Sequence, residues 1–217
     1  MSKTSAAFGA LSDLVTELGE KELDCCARIE FCKTSWSKLF DPLVALKKRV
    51  RSEGLPMALE RFGLGDETMW TFLVAAGYAA AGREGVLRLS RKLTGQECVG
   101  PKVPKIWLEA LPIPPRNKEG NTNLDMAVGH IAGRGSRVEG GIELEVTEDQ
   151  TWVAFCEMKC FSDLSTKVTH DLERTQLLRV IDNALCFQAM GPDGVIRYVD
   201  RPTVTLVTPR RLWEGTR

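Results

Sequence analysis

Glu157-Met158-Lys159 sets a carboxylate and an ammonium two residues apart at the end of the apolar run Trp152-Val153-Ala154-Phe155-Cys156. Alternate side chains of a strand share a face, so Glu157 and Lys159 point the same way. A run that is apolar on both faces reads as an interior strand. Charge at its end needs a partner, because unpaired buried charge is expensive. A divalent metal or a phosphate is such a partner. A further acid, Asp125, stands in a second strand-like run, Leu124-Asp125-Met126-Ala127-Val128. Two acids and a lysine converging from neighbouring strands suit divalent-metal phosphodiester chemistry. Magnesium takes hard oxygens, one or two of them carboxylates, and keeps several waters. The metal acidifies water and screens phosphate charge, and a lysine beside it has a pKa that its surroundings can move.

The elements that must position these residues follow from pattern. Residues 8 to about 50 read as helical, with Leu11, Leu14, Val15 and Leu18 at helix spacing and Asp41-Pro42 as an interruption or a new start. The basic cluster Lys47-Lys48-Arg49-Val50-Arg51 is either a solvated helix end or a phosphate-contacting patch. Gly63-Leu64-Gly65-Asp66 breaks the pattern, with Asp66 as an N-cap for a helix from Glu67 through Tyr78 that ends near Gly82. A second helix spans Gly85 to Leu93, and a short strand covers Lys105 to Leu108. Pro112 to Asn121 is a loop on composition. Strands follow at Leu124–Ile131, Ile142–Val146 and Thr151–Lys159, with a basic loop, Ala132 to Arg137, after the first. A long helix over about His170–Met190, a turn at Gly191-Pro192-Asp193-Gly194 and a last strand at Thr203–Val207 complete the order. Helix, strands, helix, strand predicts an α/β sandwich on a mixed sheet rather than an alternating doubly wound fold. The organisation expected is an N-terminal helical segment over residues 1–62 and a core over 63–217.

Bulk properties narrow the classes. A chain of 217 residues makes one domain, or one with an appendage. Lys and Arg number 29, as do Asp and Glu, so any attraction to nucleic acid must come from local patches. No apolar run is long enough to span a bilayer, and the N-terminus lacks a signal-peptide core. The seven cysteines form no CxxC and are accompanied by only two histidines, which argues against zinc and for small buried apolar side chains in a reducing, cytoplasmic setting. His130 reads as a loop-end polar residue, His170 as a helix-start residue and Asp163 as a turn cap.

With Asp125 on one strand, Glu157-Met158-Lys159 closing the next, and a helix and strand after it, the chain resembles the PD-(D/E)xK nuclease superfamily, which has the restriction-endonuclease-like fold. The resemblance runs from about Asp66 to Val207. It implies a magnesium-dependent nuclease, with manganese able to substitute, acting on nucleic acid, with DNA the first expectation and the choice between DNA and RNA left open. It implies Asp125 and Glu157 as metal ligands, the Met158 backbone carbonyl as a third, and Lys159 positioning the attacking water. Glu67, at the start of the first core helix, would be an additional metal or water-bridged ligand. Arg174 and Gln176 fall where members place a polar residue near the scissile phosphate; solvent-facing helix polarity is the other reading. Arg134, Arg137, Lys47, Lys48 and Arg49 are the expected phosphate contacts. Two departures stand out: Leu124 occupies the place of the family's proline, and the interval from Asp125 to Glu157 is long. Glu143 and Glu145 thus compete with Asp125 as partner acid, though their regular alternation suits a solvent-facing row. The alternative function is a non-catalytic nucleic-acid-binding or interaction module on the same fold. The sequence leaves open endo- against exonuclease action, a homodimer, and a further domain or protein partner.

Overall fold

The computed structural model describes residues 29–31, 48–49, 51–54, 57, 67–98, 105–115, 122–134, 138, 140–147, 150–159 and 175–208. Its elements in chain order are β1 (Ile29–Phe31), α1 (Glu67–Ala80), α2 (Gly82–Thr94), β2 (Ile106–Pro112), β3 (Leu124–Gly129), β4 (Ile131–Gly133), β5 (Gly141–Leu144), β6 (Trp152–Met158), α3 (Gln176–Leu185), β7 (Gln188–Met190), β8 (Ile196–Tyr198) and β9 (Arg201–Val207). Seven strands form one mixed sheet in the order β4-β5-β2-β3-β6-β9, with β1 alongside β2. β2 runs antiparallel to β3 and β3 to β6, whereas β9 is parallel to β6.

Every residue of β6 is buried, as its two-sided apolar pattern predicts. Trp152, Ala154 and Cys156 join Met126, Val128, Ile106 and Leu108 under Phe72, Ala76 and Val86 of α1 and α2. Val153 and Phe155 face the other way, into a core shared with Val180 and Ala184 of α3. The sheet is therefore covered on both faces, which makes a mixed α/β sandwich. Among the described residues no helix is long and apolar enough to cross a membrane.

The structure corrects several sequence expectations. Ile29–Phe31 is a strand, not helix, and pairs in parallel with Ile106–Leu108, so part of the expected N-terminal helical segment belongs to the core sheet. Ile-Glu-Phe fits a period of two as well as a helix, and the edge of β2 selects the strand. Gly82 begins α2 instead of trailing off α1, with only Ala81 between the two helices. The two helices approach closely there, because a Cβ on Gly85 would lie 1.9 Å from the Tyr78 carbonyl oxygen. The strand expected over Leu124–Ile131 breaks at His130, since Gly129 has φ 141° and a Cβ there would stand 2.4 Å from the Trp152 carbonyl oxygen. β5 ends at Leu144, short of Val146. The helix expected to reach Met190 stops at Leu185; Gln188–Met190 pairs with β8 as a hairpin across the predicted Gly-Pro-Asp-Gly turn, with Phe187 buried beneath.

Candidate active site

β6 delivers its last residues to the sheet end where β3 begins. Met126 is paired with Cys156, so one step outward the register brings Asp125 beside Glu157. Neighbouring residues across an antiparallel pair share a face. Asp125 Oδ2 accepts the Met158 backbone N–H at 2.6 Å. The Lys159 backbone N–H is taken by the Val207 carbonyl of β9 at 2.9 Å, which fixes the chain just beyond the strand. Its side chain then bridges two acids: Nζ lies 2.9 Å from Glu67 Oε2 and 3.1 Å from Glu157 Oε1.

Two helices begin at this point. Glu67 is the first residue of α1 and Gln176 the first of α3. Gln176 Nε2 donates to Glu157 Oε1. Thr175 caps α3 by accepting the Leu178 N–H at 3.3 Å, and so places Gln176 at the helix mouth. Helix N-termini carry partial positive charge and favour anions nearby.

The electrostatics of the group are unbalanced. Burial pushes the Glu157 carboxyl up to about 7, the Asp125 charge adds to that, and Lys159 opposes it. Burial likewise pushes Asp125 up to about 6, against the Met158 N–H bond and the Lys159 charge. Burial pulls the Lys159 ammonium down, but its bonds to Glu67 and Glu157 outweigh this and hold it above its ordinary value. Three carboxylates and one ammonium share the space, so full ionisation leaves an excess of negative charge, part of it on a carboxylate that water does not reach. Glu157 is 0 % exposed and its Oε2 has no hydrogen-bond partner. A buried carboxylate oxygen without a partner is costly.

These are hard oxygen donors, and the partnerless Glu157 Oε2 beside Asp125 is the kind of group a magnesium-sized ion would satisfy. Among the described residues no three His, Cys, Asp or Glu side chains are gathered into a metal cage. Glu67, expected as an additional ligand, has its Oε2 on Lys159. Met158 presents its carbonyl at the same strand end.

The remaining candidates are dispersed. Arg134 donates its backbone N–H to Gly141 at 2.9 Å, and Gly141 pairs with Leu111, so Arg134 lies at the same end of the sheet as Asp125. Lys48 and Arg49 are helical and exposed. Lys47, Arg137, Arg174, Asp163 and His170 lie outside the described residues. Glu143 belongs to β5 and Glu145 follows it, and β2 and β3 separate β5 from β6. His130 is buried, where its Nδ1 accepts the Trp152 N–H at 3.2 Å. One acid at this end was missed in the sequence: Glu109, the single charge within the apolar run Ile106–Leu111. It adds to the repulsion on Asp125 and accepts a bond from the Asn123 side chain.

No family model matches the chain, and no curated protein or solved structure matches it either.

Proposed function

We propose that the protein is a divalent-metal-dependent nuclease of restriction-endonuclease-like fold, hydrolysing phosphodiester bonds, with DNA the preferred substrate. The observation that carries the reading is the Lys159 ammonium held between Glu157 and Glu67, with Asp125 of the neighbouring strand beside Glu157 where the buried strand β6 ends. Asp125 and Glu157, with the Met158 carbonyl, would hold magnesium or manganese. A bound ion would supply charge neutralisation at the scissile phosphate and acidify nearby water.

The chain's own residues do the rest. Glu67 and Glu157 fix the Lys159 ammonium in place, so it can orient an attacking water or meet phosphate charge without reorganising. Gln176 holds the Glu157 carboxylate from the side of α3. Burial excludes bulk water and strengthens each of these interactions. Arg134, at the same sheet end, contacts a neighbouring phosphate and positions the backbone.

The test is incubation of supercoiled plasmid, single-stranded DNA and RNA with magnesium, manganese or EDTA. Cleavage of DNA with either ion and none in EDTA is expected. A protein that cleaves none of them with any divalent ion is a binding module, and the catalytic reading fails.

A further inference from the structure

The acid missed in the sequence has an unusual setting. On β2, Leu108 stands opposite Met126 and Ala110 opposite Leu124. Glu109 lies between them and is skipped in the register, yet its charge reaches Asp125, which in turn falls beside Glu157 on the next strand. Acids on three adjacent strands, β2, β3 and β6, thus stand at one end of the sheet. Among the described residues Glu109 is the non-glycine with positive φ, at 51°. L side chains avoid that region because Cβ crowds the backbone carbonyl. Such conformations persist only where the surroundings enforce them, and they gather at functional sites. The Asn123 amide holds the Glu109 carboxylate from β3's approach, and the Glu109 charge falls on Asp125. Like charges set together by a strained backbone oppose folding unless a cation joins them. On fully buried Glu157, Oε2 is left without a hydrogen-bond partner, although Lys159 and Gln176 meet its other oxygen.

We propose that Glu109 is a further acid of this centre, kept beside Asp125 at the expense of backbone strain so that its carboxylate helps draw and retain a hard divalent cation. The inference rests on the reading of Asp125 and Glu157 as cation ligands. Glu109 is a positioning residue. A magnesium-sized ion keeps several waters, and an acid in this place accepts hydrogen bonds from them while adding to the local negative potential.

The experiment is calorimetric titration of the full chain with manganese, alongside thermal unfolding without metal, for the unmodified protein and for Glu109→Gln, Glu109→Gly and Asp125→Asn. Glutamine keeps an oxygen for Asn123 and removes the charge. Its manganese affinity should fall by about tenfold or more, as for outer partners of metal ligands, with the metal-free Tm unchanged or raised. Glycine removes both the charge and the strain, so affinity should fall while the metal-free Tm rises. If Glu109→Gln binds manganese as the unmodified protein does, the proposal is overturned, whatever the glycine variant does. A lower metal-free Tm in Glu109→Gly at unchanged affinity would make Glu109 a structural residue of β2 and overturn it equally. Asp125→Asn separates the two levels. Loss of binding there with full binding in Glu109→Gln sinks this inference alone, whereas equal binding in Asp125→Asn, or none in the unmodified protein, sinks the parent reading with it.

Discussion

Lys159 is the residue on which the proposed chemistry would turn, because its ammonium is shared between acids from a helix and a strand. Lys159→Ala should abolish cleavage and leave manganese binding largely intact, since a lysine is not a ligand. Asp125→Ala and Glu157→Ala should lose both, and the three losses should not add, because on the proposed mechanism the residues act on one transition state. Calorimetry beside a cleavage assay separates these outcomes; full activity in Lys159→Ala would remove the lysine from the mechanism. The two acids also predict how the metal-free protein responds to pH. Their folded values, about 7 for Glu157 and about 6 for Asp125, lie above the 4.5 and 3.8 of the free side chains. Between those limits the native state holds protons that the unfolded chain has released, so stability falls as pH rises. The contribution is whole below the unfolded values and lost by the time pH passes the folded ones. The raised Lys159 value acts only in strongly alkaline solution and leaves this window alone. Metal-free Tm should therefore decline from pH 5 to pH 8, and added manganese should reverse the decline at pH 8. A Tm that climbs over that range without metal would contradict the buried, partly protonated pair.

At the scale of elements, the site is a meeting of ends. β6 and β9 finish there, β3 starts there, and α1 and α3 open towards it. Each end leaves backbone groups without partners of their own, which the site residues use: Met158 N–H binds Asp125, and Thr175 closes α3. Thr175→Ala should cost about 1 kcal/mol of stability through the lost cap. It should also loosen Gln176 against Glu157, so that activity falls more than the stability change explains. Urea unfolding and cleavage rates measured on the same variant check this. Unchanged stability would mean that the cap contributes nothing to the fold.

For the whole molecule, the balance of 29 basic and 29 acidic residues means that binding to a polyanion must be local. Arg134 is at the right end of the sheet for a phosphate contact, and Lys48 and Arg49 are exposed. Arg134→Ala should weaken DNA binding alike for all sequences and lower the salt slope by about one. Neutralising Lys48 and Arg49 as well should flatten it further. Titrations across a salt series decide this, and an unchanged slope in the combined variant would make these side chains ordinary surface.

Local residue pattern is enough to identify the strand that carries the site. The two-sided apolar run of β6 has one physical solution, burial on both faces, and the charges at its end follow from that. It likewise determined that Asp125 lies on a strand and that Glu67 begins a helix, because cap, period and turn residues are local signals. Tertiary structure decided which strands are neighbours. Only the order β5-β2-β3-β6 sets Asp125 beside Glu157 and keeps β5, which carries Glu143 and leads into Glu145, apart from β6 by two intervening strands, and strand order is not written in local pattern. The same holds for Ile29–Phe31, whose three residues suit either period until the free edge of β2 takes them as a strand. It holds too for Glu109, which reads as one charge in an apolar run until the fold gives it a positive φ and brings its charge near Asp125. Long-range pairing is set by the energy of the assembled sheet and not by any one segment, so it is decided only when the segments meet.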